Sequence, residues 1–174
     1  MCGIVGYVGH DNAKDIIIDG LKKLEYRGYD SAGIALLNKG ELTVRKRQGK
    51  IANLEAAIAS EHLFGTCGIG HTRWATHGAP SDINAHPHIS SDNSVAIVHN
   101  GIVENYVELK EWLTKEHGLV FRTETDSEVI AQLLGVLKKT KNLSLEDAVF
   151  EAVKMMRGAY AIAAVTEDEP NRIV

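Results

Sequence analysis

The chain begins with Met1-Cys2-Gly3-Ile4-Val5-Gly6-Tyr7-Val8-Gly9, and its Val and Ile residues predict a β-strand over residues 2–9. Cys2 directly follows the initiator methionine, so removal of Met1 would place a thiol and a free α-amine on one residue. An α-amine titrates near about pH 7.7–8.0, close to the pH at which a general base works best. One interpretation of the stretch is therefore an N-terminal cysteine nucleophile that its own amine activates, which the motifs further along the chain favour. The alternative is a strand cysteine that packs as a small apolar side chain.

The composition indicates one globular domain over residues 1–174, with 44% hydrophobic and 24% charged residues. The net charge of -4 argues against binding to nucleic acid or to an anionic membrane. Two cysteines are too few for a disulfide framework, which favours a reducing compartment. The apolar start lacks a basic region, and no apolar run reaches the length of a membrane span. These features predict a soluble, cytoplasmic protein.

Hydrophobic periodicity and turn residues divide the rest of the chain into strands and helices. Further strands are predicted over 32–37, 41–47, 66–72, 94–99, 119–122 and 158–166, with another starting at 172–174. Helices are predicted over 12–24, 50–59 and 104–116. A fourth helix is predicted to follow a capping box at 125–128, and a fifth runs from Ser144 to about Met156. Several strands have hairpin-like connections, which favours an α+β fold of antiparallel sheets with helices packed outside.

Regular periodicity stops between residues 73 and 93, where the chain carries Trp74, three histidines and two prolines. A loop of this length in a compact domain is typical of a binding loop or lid, and a solvated excursion is the alternative. Arg73, Thr76 and His77 form a polar cluster at its start. The guanidinium of Arg73 suits a substrate carboxylate, unless it is an ordinary surface charge at a strand end.

Two further polar positions lie at element ends. The Asn100 side-chain amide and the Gly101 N–H are two donors that could converge on a developing oxyanion, although Asn-Gly also forms ordinary turns. Asp126 could hold a substrate ammonium, or it could simply interact with the dipole at a helix N-terminus.

Four histidines fall within one short region: His71, His77, His86 and His88. A zinc site is one interpretation, which Asp82 could join. The spacings match no standard zinc signature, and no cysteine stands beside them. Structural or substrate-loop histidines are therefore expected, with no metal and no cofactor.

Six motifs taken in order resemble one protein family, the N-terminal-nucleophile (class II) glutamine amidotransferases. They are Cys2-Gly3-Ile4-Val5-Gly6, Arg27-Gly28-Tyr29-Asp30-Ser31-Ala32-Gly33, His71-Thr72-Arg73-Trp74-Ala75-Thr76-His77-Gly78, Asn84-Ala85-His86-Pro87-His88, His99-Asn100-Gly101-Ile102-Val103-Glu104-Asn105-Tyr106 and Thr125-Asp126-Ser127-Glu128. The resemblance covers essentially all 174 residues. The run Leu24-Glu25-Tyr26-Arg27-Gly28-Tyr29-Asp30 favours the amino-sugar branch of the family.

The resemblance implies a four-layer αββα sandwich and a glutaminase reaction at Cys2. The Cys2 thiol would attack the side-chain amide of L-glutamine, with its own amine moving the proton, and a thioester would then release glutamate. Asn100 and Gly101 would stabilise the oxyanion. Arg27 and Gly28 would support the surroundings of the nucleophile.

The resemblance also assigns the groups that hold the substrate. Arg73 would bind the glutamine carboxylate and Asp126 its ammonium. Thr76 and His77 would line the pocket, and Trp74 would lie on the loop that closes over it.

Full-length members of the amino-sugar branch carry C-terminal sugar-isomerase domains, which use the ammonia on fructose-6-phosphate and are expected to form homodimers. The 174 residues correspond to the glutaminase part alone, and its sandwich is expected to be incomplete at the C-terminus. The alternative hypothesis is a non-catalytic fragment that binds glutamine or assembles with a partner.

Overall fold

A computed structural model describes residues 2–75 and 78–174, which form two antiparallel sheets and five α-helices. The strands are β1 Gly3–Val8, β2 Ser31–Asn38, β3 Glu41–Gln48, β4 Cys67–Arg73, β5 His88–Ile89, β6 Val95–Gly101 and β7 Tyr160–Thr166. The helices are α1 Ala13–Leu24, α2 Ile51–Ile58, α3 Tyr106–His117, α4 Ser127–Lys141 and α5 Leu145–Met155. The first sheet has the order β1-β4-β2-β3 and the second β5-β6-β7.

The strands β2 and β6 are buried on two faces, and their alternate side chains belong to two different cores. In β2, Ile34 and Leu36 pack under α1 and α2, whereas Ala35 and Leu37 face the second sheet. In β6, Ile97 packs under α4 and α5, and Ala96 and Val98 face the first sheet. Side chains along a strand point alternately to its two faces, so each sheet packs against helices on one face and against the other sheet on the opposite face. The result is the predicted order of four layers: helix, sheet, sheet and helix. The α+β sandwich prediction is confirmed.

The helices begin and end where local chemistry satisfies their free backbone groups. The Asn12 side chain accepts the Lys14 N–H at 3.3 Å before α1, and Ser144 Oγ accepts the Asp147 N–H at 3.1 Å before α5. Gly118 ends α3 in the left-handed region at φ 64°, and its N–H bonds to the carbonyls of the last turn.

The predicted strand over 119–122 is wrong. The Glu128 carboxylate accepts the backbone N–H groups of Arg122 and Thr123, at 3.0 and 2.7 Å respectively. Because a side chain already takes these donors, the segment has no need of a neighbouring strand. The Glu128 carboxylate therefore does not make the hydrogen bond that a full capping box requires of it. The other hydrogen bond of the capping box is present, since Thr125 Oγ1 accepts the Glu128 N–H at 3.4 Å.

Two shorter segments also differ from the expectations. The predicted loop over 73–93 contains the two-residue strand β5, in which His88 pairs with Ile97. Residues 172–174 are not a strand, although Val174 and Ala164 exchange backbone hydrogen bonds of 2.8 and 3.0 Å. Within residues 2–75 and 78–174, no helix has the length and apolar character needed to cross a membrane.

Candidate active site

Cys2 lies at the end of the first sheet where three chain segments meet. Gly3 pairs with Thr72, so Cys2 falls beside Arg73 and Trp74 across the β1–β4 ladder. The Trp74 N–H donates to Cys2 Sγ at 3.2 Å. Burial raises the pKa of the other thiol, that of Cys67, to about 11, whereas Cys2 is only partly buried and lines a cavity. Cys2 is therefore the accessible thiol.

Asn100 and Gly101 approach Cys2 from the second sheet, at the end of β6. Asn100 Nδ2 lies 3.5 Å from the Cys2 carbonyl oxygen, and Asn100 Oδ1 lies 2.8 Å from His71 Nε2. Gly101 has φ +109°, and a Cβ built there would lie 2.2 Å from the Ala159 carbonyl oxygen. This conformation and this close approach both require glycine.

A cavity of about 570 Å³ opens between these strand ends. Its walls include seven residues singled out from the sequence: Cys2, Arg27, Arg73, Trp74, Asn100, Gly101 and Asp126. They also include five residues that the sequence did not predict as catalytic or glutamine-binding: His86, His99, Ile102, Thr125 and Ser127. All five lie inside or beside the family motifs, and this position in the sequence was the signal from which their place in the site could have been predicted. Thr76 and His77 lie outside the described residues.

Two charged side chains of opposite sign are buried beside this cavity. Arg73 is 4% exposed and donates from Nη2 to the Gly78 carbonyl at 3.0 Å. Asp126 is also 4% exposed and accepts the Val103 N–H on Oδ2 at 2.9 Å. Although Asp126 immediately precedes α4, its side chain makes no capping hydrogen bond to that helix. An amino acid in the cavity could therefore pair its carboxylate with Arg73 and its ammonium with Asp126.

Arg27, Gly28 and Trp74 occupy the edge of the site. Arg27 ends the 3₁₀ turn Glu25–Arg27, which the Gly28 N–H closes on the Glu25 carbonyl at 3.1 Å. Gly28 is buried but does not line the cavity itself. The Trp74 side chain is 51% exposed and packs edge-on against Tyr29, with ring centroids 5.8 Å apart. Trp74 thus lies at the rim.

Asp30 and Lys46 anchor the loop that follows Arg73, and sequence reasoning assigned neither of them this role. The Asp30 carboxylate accepts the Ala75 N–H, and the Asp30 N–H donates to the Arg73 carbonyl at 3.1 Å. Lys46 Nζ donates to the Ile83 and Ala85 carbonyls at 2.9 and 2.7 Å. Burial lowers the pKa of Lys46 to about 8. These bonds hold both ends of the described loop against the first sheet.

Four buried histidines pack together beside the cavity: His71, His86, His88 and His99. His86 and His99 also line its wall. The rings of His71 and His86 stack with centroids 4.2 Å apart. Desolvation lowers the pKa of His71 to about 4 and holds those of His86 and His88 well below the usual value. In the part of the chain that the structure describes, no three His, Cys, Asp or Glu side chains are placed to hold a metal ion. The zinc interpretation therefore has no support from these residues.

Ser127 and the His99 backbone N–H form hydrogen bonds with the rings of this histidine cluster. Ser127 Oγ lies 3.2 Å from His86 Nε2 and 2.8 Å from His99 Nδ1. His86 Nδ1 accepts the His99 N–H at 3.2 Å, so His86 carries its proton on Nε2. Burial lowers the pKa of His99, while the nearby Asp126 carboxylate acts in the opposite direction. The cluster is therefore neutral near pH 7, and its rings act as hydrogen-bonding groups.

Comparison with known proteins places this geometry in context. The sequence model of a family described as a glutamine amidotransferase domain matches residues 71–174. Glutamine–fructose-6-phosphate aminotransferase (isomerizing) of Clostridium perfringens is 53% identical over 174 residues, covering 100% of this chain and 28% of that protein. The enzymes of the same name from Aquifex aeolicus and Thermus thermophilus are 54% and 56% identical, covering 29% and 27% of those proteins and 100% and 97% of this chain. The chain thus spans little more than a quarter of these relatives.

Solved structures show the same arrangement of sheets and helices. The glutamine phosphoribosylpyrophosphate amidotransferase of B. subtilis aligns with a TM-score of 0.80 and 33% identity, over 96% of this chain and 35% of that one. A structure described as the allosteric regulatory enzyme of purine biosynthesis aligns with a TM-score of 0.81 and 34% identity, over 96% of this chain and 36% of that one.

Proposed function

Because this chain belongs to the family of glutamine amidotransferase domains, we propose that its cavity hydrolyses the side-chain amide of L-glutamine to glutamate and ammonia. One observation carries the proposal. The Cys2 thiol, the Asn100 amide and two buried charges of opposite sign line one cavity of about 570 Å³. A nucleophile, an oxyanion donor and a clamp for an amino acid zwitterion together make up an acyl-transfer site.

The reaction proceeds through a covalent bond to Cys2. Removal of Met1 frees the Cys2 amine, which takes the thiol proton as sulfur attacks the amide carbon. Asn100 Nδ2 and the Gly101 N–H stabilise the oxyanion of the tetrahedral intermediate. The C–N bond then breaks, the amine returns the proton to nitrogen, and ammonia leaves. Water adds to the thioester, the C–S bond breaks, and glutamate departs with the thiol restored.

The opposite charges orient the substrate, since glutamine carries a carboxylate and an ammonium at the end away from its amide. Arg73 binds the carboxylate, and Asp126 binds the ammonium. Thr76 and His77, which lie outside the described residues, are proposed to line the same pocket. Trp74 covers the site from its rim, and the turn at Arg27 and Gly28 supports the wall beside Cys2.

The relatives' names suggest where the ammonia goes. We propose that residues 1–174 are the glutaminase domain of a longer cytoplasmic protein, a homodimer whose C-terminal sugar-isomerase domains transfer the ammonia to fructose-6-phosphate. The support is at least 53% identity across the chain to aminotransferases that name this sugar.

The deciding experiment compares Cys2→Ala with Cys67→Ala in protein whose N-terminus is confirmed by mass spectrometry. We expect Cys2→Ala to lose ammonia release from glutamine and Cys67→Ala to retain it, because Cys67 is buried between the sheets. A diazo-ketone analogue of glutamine should label Cys2 and leave Cys67 free. Unchanged turnover in Cys2→Ala would refute the proposal. Calorimetric binding of glutamine without ammonia release, in protein that begins at Cys2, would instead favour the non-catalytic alternative.

A further inference from the structure

The side chain of Asn100 has two ends of nearly the same shape, and only one can stabilise an oxyanion. Nδ2 is a donor, whereas Oδ1 is an acceptor that would repel developing negative charge. Rotation of the carboxamide by half a turn exchanges the two ends at little steric cost. A site that depends on Nδ2 therefore needs a partner that fixes the orientation.

His71 contacts the Oδ1 end of the Asn100 carboxamide, and the Cys2 carbonyl oxygen contacts the Nδ2 end. Its Nε2 is 2.8 Å from Asn100 Oδ1, while Asn100 Nδ2 lies toward Cys2. The ring is 1% exposed and stacks on His86, with 17° between the ring planes. His71 belongs to β4, which is paired on both sides, with Ile4 and with Gly33. The imidazole is consequently held in place by both its strand and its neighbour.

The position of the proton on the His71 ring and the orientation of the Asn100 amide depend on each other, because the two groups share one hydrogen bond. A pKa of about 4 leaves His71 neutral near pH 7, so only one of its two ring nitrogens carries a proton. Within residues 2–75 and 78–174, His71 Nδ1 makes no hydrogen bond of ordinary geometry, although the backbone of His99 lies near enough to the ring to raise its pKa. If Asn100 were rotated, Nδ2 would donate to Nε2, and the ring proton would have to move to Nδ1. Rotation would also turn Asn100 Oδ1 toward the Cys2 carbonyl oxygen, which Nδ2 faces at 3.5 Å, and two acceptors repel each other. The Nε2–H form and the observed amide orientation therefore stabilise each other.

From these contacts we propose that His71 is a positioning residue, whose Nε2–H holds the Asn100 carboxamide with Nδ2 directed at the oxyanion. The inference rests on the proposed glutaminase reaction, in which His71 touches neither substrate nor sulfur and acts only through Asn100.

A double-mutant cycle on kcat for ammonia release tests this coupling. Loss of one oxyanion donor in Asn100→Ala should lower kcat by about 100-fold or more. His71→Leu should lower it by roughly 10-fold, since Asn100 then spends most of its time misoriented. The double variant should match Asn100→Ala within about 3-fold, because His71 has nothing left to orient. Effects that multiply, giving a loss of about 1,000-fold in the double variant, would overturn the proposal.

Two conservative variants keep the test decisive if His71→Leu fails to fold. The amide of His71→Gln can reach Asn100 Oδ1, whereas that of His71→Asn is one methylene shorter. We expect His71→Gln to retain activity within about 3-fold and to exceed His71→Asn by roughly 10-fold. Equal activity in the two would contradict the proposal.

His88→Leu is the matched control: His88 is 2% exposed and its Nε2 contacts Thr125 rather than Asn100. It should lose thermal stability as His71→Leu does, with a much smaller change in kcat.

A measurement without turnover separates orientation from general damage. The Cys2 sulfur adds to the carbonyl carbon of the aldehyde analogue of glutamine while the Cys2 amine takes the thiol proton, and the oxyanion of this adduct would lie at Asn100. His71→Leu should weaken aldehyde binding by about the factor lost in kcat and leave the Kd of glutamate within about 2-fold. Equal losses for both ligands would overturn the proposal. Absence of ammonia release by the parent chain would refute the proposed function itself, whatever His71 does.

Discussion

Replacing Gly101 by alanine tests the geometry at the end of β6 most directly. A Cβ on this residue would lie 2.2 Å from the Ala159 carbonyl oxygen and 2.7 Å from Tyr160 Cα. Both are backbone atoms of the neighbouring segment, so no side-chain rotation can relieve the contact. The φ of +109° adds strain for any residue with a Cβ.

The expected loss of stability has two parts. A side chain held at so unusual a φ costs about 1–3 kcal/mol. The overlap requires the β6–β7 backbone to separate by about 1 Å, which weakens one or two ladder hydrogen bonds worth about 1 kcal/mol each. Together these amount to roughly 2–5 kcal/mol, which for a domain of this size lowers Tm by about 4–20 °C. Because Gly101 also lies beside Cys2, ammonia release should fall even at temperatures where the variant is folded.

The matched control is Gly118→Ala at the end of α3. Gly118 also has a positive φ, +64°, but a Cβ there would meet nothing within 4 Å. It should cost about 1 kcal/mol, from backbone strain alone. Thermal and urea unfolding of both variants measure the difference, and ammonia release at 20 °C below each Tm measures activity. Equal losses of stability in the two variants would refute the argument from the Ala159 carbonyl.

Two further predictions follow from the buried titratable groups. Since burial lowers the pKa of His71 from 6.5 to about 4, the unfolded chain binds the extra proton between these values, and stability should fall as pH drops from 6.5 toward 4. The contribution of His71 approaches about 3 kcal/mol at the acid end. Urea unfolding between pH 7 and pH 4 should show this slope, and His71→Gln should reduce it; an unchanged slope would contradict the assignment. Because the pKa of the buried Cys67 is about 11, iodoacetamide at pH 8 should modify Cys2 and spare Cys67 until the protein is denatured. Peptide mapping checks this, and rapid labelling of Cys67 in folded protein would contradict it.

The secondary structure was largely predictable because its signals are local. The apolar spacing in α1 and the Ser144 cap of α5 act over a few residues, and both helices formed where expected. The strand predicted over 119–122 was wrong for the opposite reason. The Glu128 carboxylate takes the backbone donors of that segment, and the pattern of apolar residues carries no information about such a bond. The short β5 was missed because two residues are too few to show a period.

The candidate site was predictable as a set of motifs but not as an arrangement. Cys2, Arg73, Asn100 and Asp126 were singled out from the sequence, and the structure brings all four to one cavity. Asp30 and Lys46 were given no role, since each acts by binding backbone groups that are distant along the chain. Local patterns cannot distinguish such anchors from ordinary surface charges.

The sequence by itself determined the order of the elements, the two-residue alternation that lets each sheet face two cores, and the residue types available for chemistry. Only the tertiary structure decided that His71 lies against Asn100, 29 residues away, and that Asn100 lies beside Cys2, 98 residues away. The physical reason is that propensity and periodicity arise from neighbours within a few residues. The orientation of a side-chain amide and the protonation of a buried imidazole arise instead from groups that meet only when the two sheets pack together.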